Sequence, residues 1–189
     1  MENHYQLIYD WLLKIGKGHP IEKLKTIKTL DLRFCELKSI SLLTSLTTLE
    51  TLDISFNELT DISPLKSLIN LKNLSLSNTH VKDITSIDHL RRLEKLNLSE
   101  TPVEDLTPLS NLSSLNSLIL DWTKIDHINP VQYLTNLHKL SLFGTKIVDL
   151  SALRYLSNLK ELYLGETDVT NLEPIKNLMN LQDLYLNET

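Results

Sequence analysis

The stretch LKNLSLSNTHVKDITSIDHLRR, residues 71–92, runs directly into LEKLNLSETPVEDLTPLSNLSS, residues 93–114, and the pair decides how this chain folds. Apolar residues recur at positions 1, 4, 6, 11, 14, 17 and 20 of each stretch, as in Leu71, Leu74, Leu76, Val81, Ile84, Ile87 and Leu90. The same 22-residue unit continues in register through residues 49–70, 115–136, 137–158 and 159–180. Residues 27–48 are a looser first copy, and residues 181–189 begin another. Positions 4 and 6 alternate as a short strand does, whereas positions 11, 14, 17, 20 and the next 1 advance by three, the step of a 3-10 helix. Each unit therefore reads as strand, turn and tight helical return. One such coil cannot enclose its own leucines, but stacked coils enclose them for one another. The expected architecture is an α/β repeat solenoid over residues 27–189, with a parallel concave β-sheet and short 3-10 or helical convex segments.

The polar positions carry their own chemistry. Position 15 holds Ser41, Ser63, Thr85, Thr107, Asn129 and Ser151, with Glu173 as the exception, and these residue types suggest N-caps of the helical return. Pro64, Pro108, Pro130 and Pro174 follow at position 16, where a missing N–H costs nothing. Asp61, Asp83, Asp105 and Asp149 occupy position 13, beside the N–H groups of the helix start, and read as structural rather than as metal ligands. Position 9 runs Cys35, Asn57, Thr79, Thr101, Thr123, Thr145, Thr167 and Thr189, a small polar ladder expected to satisfy buried peptide groups. Cys35 in that column reads as a small buried filler.

The segments LTDISPL at residues 59–65 and VEDLTPL at residues 103–109, each following the Leu-x-x-Leu-x-Leu pattern, resemble the bacterial internalin-like (SDS22-like) leucine-rich repeat of 22 residues. The resemblance spans residues 21–189 and implies a leucine-rich-repeat solenoid whose concave sheet grips a partner protein. Two departures stand out. The family's usual ladder residue is asparagine, present here as Asn57 alone, so a somewhat different turn is expected. The sequence also shows no counterpart of the export signal, immunoglobulin-like module and wall anchor of secreted internalins, so host-cell invasion is not carried over.

Composition bounds the function. The 189 residues carry a net charge of −5 with both signs interspersed, which gives no extended basic surface for a nucleic acid. A single cysteine leaves no internal disulfide, and no apolar run reaches bilayer length. The chain as given reads as soluble and cytoplasmic, without membrane contact. His4, His19, His80, His89, His127 and His138 share no metal-ligand spacing, and no phosphate loop or nucleophile elbow is present. The expectation is a non-enzymatic chain without cofactor or metal.

Before the repeats, Ile8, Trp11, Leu12 and Ile15 recur at helical spacing and Gly16 to Pro20 stop the helix, which makes residues 1–26 a helical cap over the first coil. Pro20, Ile21 and Leu24 fit positions 16, 17 and 20 of a virtual preceding unit. At the other end Leu181, Leu184 and Leu186 open an uncovered coil, and the expectation is either that the natural chain continues beyond Thr189 or that two such ends associate. This supports a second reading of the chain, as a spacer or oligomerisation segment.

Positions 3, 5 and 7 point from the strand onto the concave face, and position 8 lies at its edge. The first half of these columns is small and polar. The second half gathers Ile119, Phe143, Tyr163 and Tyr185, with Trp122 beside them and Asp121, Lys139, Glu161 and Glu166 around them. Strands lie about 4.8 Å apart, so these residues from four successive units could form one patch roughly 15 Å across. Aromatic anchors ringed by charge are where interfaces concentrate energy, and the site read here for a partner protein is Ile119, Asp121, Trp122, Lys139, Phe143, Tyr163, Glu166 and Tyr185. The alternative is that the rings stack cross-strand and shield the sheet. Phe34 and Phe56, also at position 8, read as packing between neighbouring coils, and Lys72, Arg91, Arg92 and Lys95 as solvated surface.

Overall fold

The computed structural model describes residues 2–189, with side chains from His4 onward. Among these residues the chain forms α1 (Glu2–Lys14) and α2 (Ile21–Leu24), then eight short strands. These are β1 (Thr29–Asp31), β2 (Thr51–Asp53), β3 (Asn73–Ser75), β4 (Lys95–Asn97), β5 (Ser117–Ile119), β6 (Lys139–Ser141), β7 (Glu161–Tyr163) and β8 (Asp183–Tyr185). Each of the first seven is followed by a 3-10 turn at positions 15–17 or 15–19 of its coil, from Ser41–Ser45 to Glu173–Ile175. The strands form one parallel sheet in chain order, and the register advances by one repeat at each step, with Leu30 opposite Leu52, Leu52 opposite Leu74 and so on to Leu184.

The seven apolar positions are the interior. In the third coil Leu71, Val81, Ile87 and Leu90 are fully buried, and Leu74, Leu76 and Ile84 are at most 3% exposed. Each fully buried leucine or isoleucine stabilises by about 1.5–3 kcal/mol against exposure, most of it offset by chain ordering. The N-terminal end of this interior is closed as the heptad-like spacing requires. Ile8 and Leu12 are fully buried, Trp11 and Ile15 pack partly against the core, and the Tyr5 hydroxyl reaches the Ser45 carbonyl at 3.4 Å. Gly16, at φ +72°, ends α1, and α2 supplies the helical turn expected at Ile21 and Leu24.

The start of each 3-10 turn differs from the reading of position 15 as an N-cap. The cap residue is the apolar one at position 14, such as Ile62 or Leu106, and it makes no side-chain cap bond. The capping oxygen comes instead from position 13. Asp61 accepts the Ser63 amide, Asp83 that of Thr85, Asp105 that of Thr107 and Asp149 that of Ser151, each at 2.8 Å. Asn171 does the same for Glu173 at 2.9 Å. The aspartate column thus has the local backbone role its spacing implied, while the hydroxyls of Ser63 and Ser151 only add a second bond to the same carboxylate.

Two ladders tie the coils. Along position 9 the buried threonines each donate to the carbonyl three residues back, as Thr79 to Leu76 at 2.7 Å and Thr123 to Leu120 at 2.6 Å. Asn57 reaches further. Its Oδ1 accepts the amides of Cys35 and Leu37 in the preceding coil, and its Nδ2 donates to the carbonyls of Leu32, Ile54 and Ser55. Cys35 is half-buried rather than enclosed, and its Sγ rests 3.3 Å from the Arg33 carbonyl. The second ladder runs along position 22, where Asn70, Asn136, Asn158 and Asn180 donate to Thr47, Ser113, Thr135 and Ser157 carbonyls of the coil before. Arg92 joins it by donating to Asn70 Oδ1 at 2.7 Å, and Lys72 pairs with Glu50 at 2.8 Å, so these two cations of the basic cluster are engaged rather than freely solvated.

Position 8 is left-handed in every coil. Phe34, Phe56, Asn78, Glu100, Trp122, Gly144, Glu166 and Glu188 all have φ between +52° and +66°.

Candidate protein-binding surface

The concave face divides as its columns do, and the two halves differ in relief. In the first half the side chains of β2 to β5 leave an open trough of about 260 Å³, whose lining includes Thr51, Asp53, Asn73, Ser75, Lys95, Asn97 and Ile119. Several of the polar groups here bond to one another. Asn73 donates to the Thr51 hydroxyl at 3.0 Å, the Ser55 and Ser75 hydroxyls meet at 2.7 Å, and Asp53 and Asn97 accept the amides of Ser55 and Ser99.

In the second half the rings make two pairwise contacts, Trp122 with Phe143 and Tyr163 with Tyr185. Trp122 and Phe143 meet edge to face with centroids 5.5 Å apart. Each ring lies over a glycine of the next coil. A Cβ added to Gly144 would stand 2.5 Å from the Trp122 indole, and one added to Gly165 would stand 2.7 Å from the Phe143 ring. Beneath them Asp121 accepts the Phe143 amide at 3.1 Å, and burial pushes its carboxyl pKa up despite hydrogen bonds from Ser141 and Phe143.

The second contact is built on β6, β7 and β8. Tyr163 and Tyr185 stack with centroids 4.5 Å apart and planes 4° from parallel. The Lys139 ammonium sits 4.6 Å from the Tyr163 ring centre and 2.7 Å from Glu161, whose Oε2 also accepts the Tyr163 hydroxyl at 3.1 Å. The bond to Lys139 holds the Glu161 carboxyl below its usual range, and Glu161 in turn raises the Lys139 pKa. Glu166 stands exposed at the left-handed edge, next to the Gly165 that lies under the Phe143 ring. Trp122 and Tyr185 keep 51% and 44% of their surface open, while Phe143 and Tyr163 are half-buried.

The glycine platforms and the left-handed edge were not legible as functional features in the sequence. The signal for the first lies in Gly144 and Gly165 following the aromatic residues by one repeat. For the second only Asn78 and Gly144 are residue types that favour positive φ. Phe34 and Phe56 stack on each other at 4.4 Å, as expected of neighbouring coils, yet they are 69% and 41% exposed, so their packing is mutual and not part of the core.

Among the described residues no helix is long and apolar enough to cross a membrane, and no group of three or more His, Cys, Asp or Glu side chains is placed to hold a metal.

Comparison with known proteins places this geometry. The family model for leucine-rich repeats in two copies matches residues 25–67, 47–89 and 69–111. Internalin C2 of Listeria monocytogenes is similar over 94% of this chain and 91% of its own, at 28% identity and a TM-score of 0.82. A leucine-rich-repeat protein of Leptospira interrogans is 32% identical over 87% of this chain and 44% of its own, with a TM-score of 0.82. The functional domain of InlJ from Listeria monocytogenes, which includes a cysteine ladder, is 25% identical over 87% of this chain and 40% of its own, with a TM-score of 0.69. No curated protein sequence matches the chain.

Proposed function

We propose that this chain, whose repeats are similar to those of internalins, is a protein-interaction module that binds its partner through the second half of the concave face. The observation that carries this reading is the Tyr163–Tyr185 stack with Lys139 and Glu161 beside it, next to the Trp122–Phe143 pair. Rings held flat by glycines and by one another lose little freedom on binding, and partly desolvated aromatic anchors beside charges are what hot spots are made of. Ile119, Asp121 and Glu166 border these anchors. The partner is a protein, and the chemistry of the surface is recognition without turnover. The double variant Phe143→Ala, Tyr163→Ala tests it. Capture of the native-source partner should be lost while circular dichroism is unchanged, and undiminished capture overturns the reading.

A further inference from the structure

We infer that the edge formed by Phe34 and Phe56 is a separate contact surface, which accepts an arginine side chain of a protein partner. Both residues hold φ +57°, a conformation that costs an L-residue about 1–2 kcal/mol. Trp122 adopts the same conformation but lies over Gly144 and against Phe143. The turn sets this φ in every coil, but Phe34 has one ring face on Phe56 and is otherwise open, 69% exposed, so the packing of the coils leaves its outer face unused. The two rings are 14° from parallel, which leaves the outer face of Phe34 flat and accessible.

Beside the rings runs a groove of about 360 Å³ whose lining adds Glu36, Glu58, Asn78 and His80 to the two phenylalanines. No lysine or arginine lines it. The neighbouring cations are already engaged. Lys17 lies 3.7 Å from Asp31, Arg33 pairs with Asp31 at 2.8 Å and Asp53 at 3.6 Å, and Lys38 pairs with Glu58 at 3.2 Å. Glu36 makes no ion pair among the described residues, and Glu100 is held by Asn78 at 2.7 Å rather than by a cation. The groove therefore joins an open aromatic face to an uncompensated carboxylate. A guanidinium fits both at once, because it is planar, stacks flat on a ring and donates sideways to carboxylate oxygens.

The surface uses none of the residues assigned above to concave binding, so the two can fail independently. The test is a titration of the whole chain with N-acetylarginine amide and, in parallel, with the neutral N-acetylcitrulline amide of nearly the same shape. Amide resonances of residues 34–36 and 56–58 report it. Saturable shifts are expected with the arginine compound alone. They should be roughly two- to fivefold weaker in affinity in the double variant Phe34→Ala, Phe56→Ala, the span of an exposed cation–π contact, and weakened also in Glu36→Gln. Tyr163→Ala should titrate as the wild type does. Equal responses to the two compounds, or a curve unchanged in the double phenylalanine variant, overturns the inference.

Discussion

Asn57 serves two coils where each ladder threonine serves its own. Its amide carries the Cys35 and Leu37 N–H groups of the first coil as well as carbonyls of both coils, so Asn57→Ala strands buried donors. A loss of roughly 2–3 kcal/mol in urea unfolding is expected, and Asn57→Thr should recover only the bond within its own coil. Gly144 is the opposite case, a residue defined by what it lacks. Gly144→Ala would put a methyl group into the Trp122 indole, and with the left-handed φ of +66° a cost of about 1–2 kcal/mol is expected. In a Trp11→Phe background the fluorescence of Trp122 should shift as the ring lifts. His89 links coils through a proton. Its ring bonds the Lys66 carbonyl at 3.0 Å and Asp88 at 2.8 Å, and these contacts, the carbonyl first, raise its pKa above 6.5. A raised pKa means that the stabilisation is complete below about pH 6.5 and fades as pH climbs through the folded value. The urea midpoint should therefore fall as pH rises from about 6.5 through the raised folded value, and His89→Gln should flatten that slope. The aspartates, prolines and ladder residues were readable from the sequence because each does its work within a few residues of itself. Asn57's reach across the coil boundary, and the meeting of Trp122 with Gly144, depend on stacking that no single unit contains.

At the scale of the element, the helical return explains why position 13 caps and position 15 does not. The first 3-10 bond runs from the Leu65 amide to the Ile62 carbonyl, which makes Ile62 the cap residue, and its side chain is committed to the core. A capping oxygen must therefore reach forward from the residue before it, and an aspartate does so over two residues. Asp149 shows the consequence. Its carboxylate accepts the Ser151 hydroxyl at 2.7 Å and amide at 2.8 Å, and these bonds hold its pKa below 3.8. Stabilisation from a lowered carboxyl pKa is present above the unfolded value and is lost as pH falls through the folded one. Asp149→Ala should cost about 0.5–2 kcal/mol at neutral pH. Asp149→Asn should keep most of the cap while removing its share of the loss below about pH 4, read from acid titration of the unfolding midpoint. Residue type and spacing pointed to polar capping at this turn. They could not say which side of the apolar residue supplies it, because a periodic pattern locates the core-facing positions and not the first hydrogen bond.

For the whole molecule, identical register from β1 to β8 means that stability is close to a sum over coils and their interfaces. The leucine spacing made this readable in the sequence, since each coil repeats the same seven buried positions and nothing else in the chain competes with them. The left-handed edge stayed hidden for the converse reason: Phe, Trp and Glu carry no local preference for positive φ, and the tight turn after each strand imposes it. A deletion of residues 93–114 removes one coil and joins Arg92 to Leu115, which leaves β3 beside β5 with every apolar position matched. Cooperative unfolding should survive with an m-value lower by roughly a ninth, whereas deletion of residues 93–113 shifts the leucines by one and should abolish it. The 22-residue deletion retains Phe34, Phe56, Trp122, Phe143, Tyr163 and Tyr185 but brings the first two nearer the rest by one strand spacing, about 4.8 Å. Binding of the arginine compound at the edge should be unchanged. A partner that touches both surfaces at once should bind the shortened chain more weakly than the full one, while a partner confined to the second half of the concave face should not distinguish them.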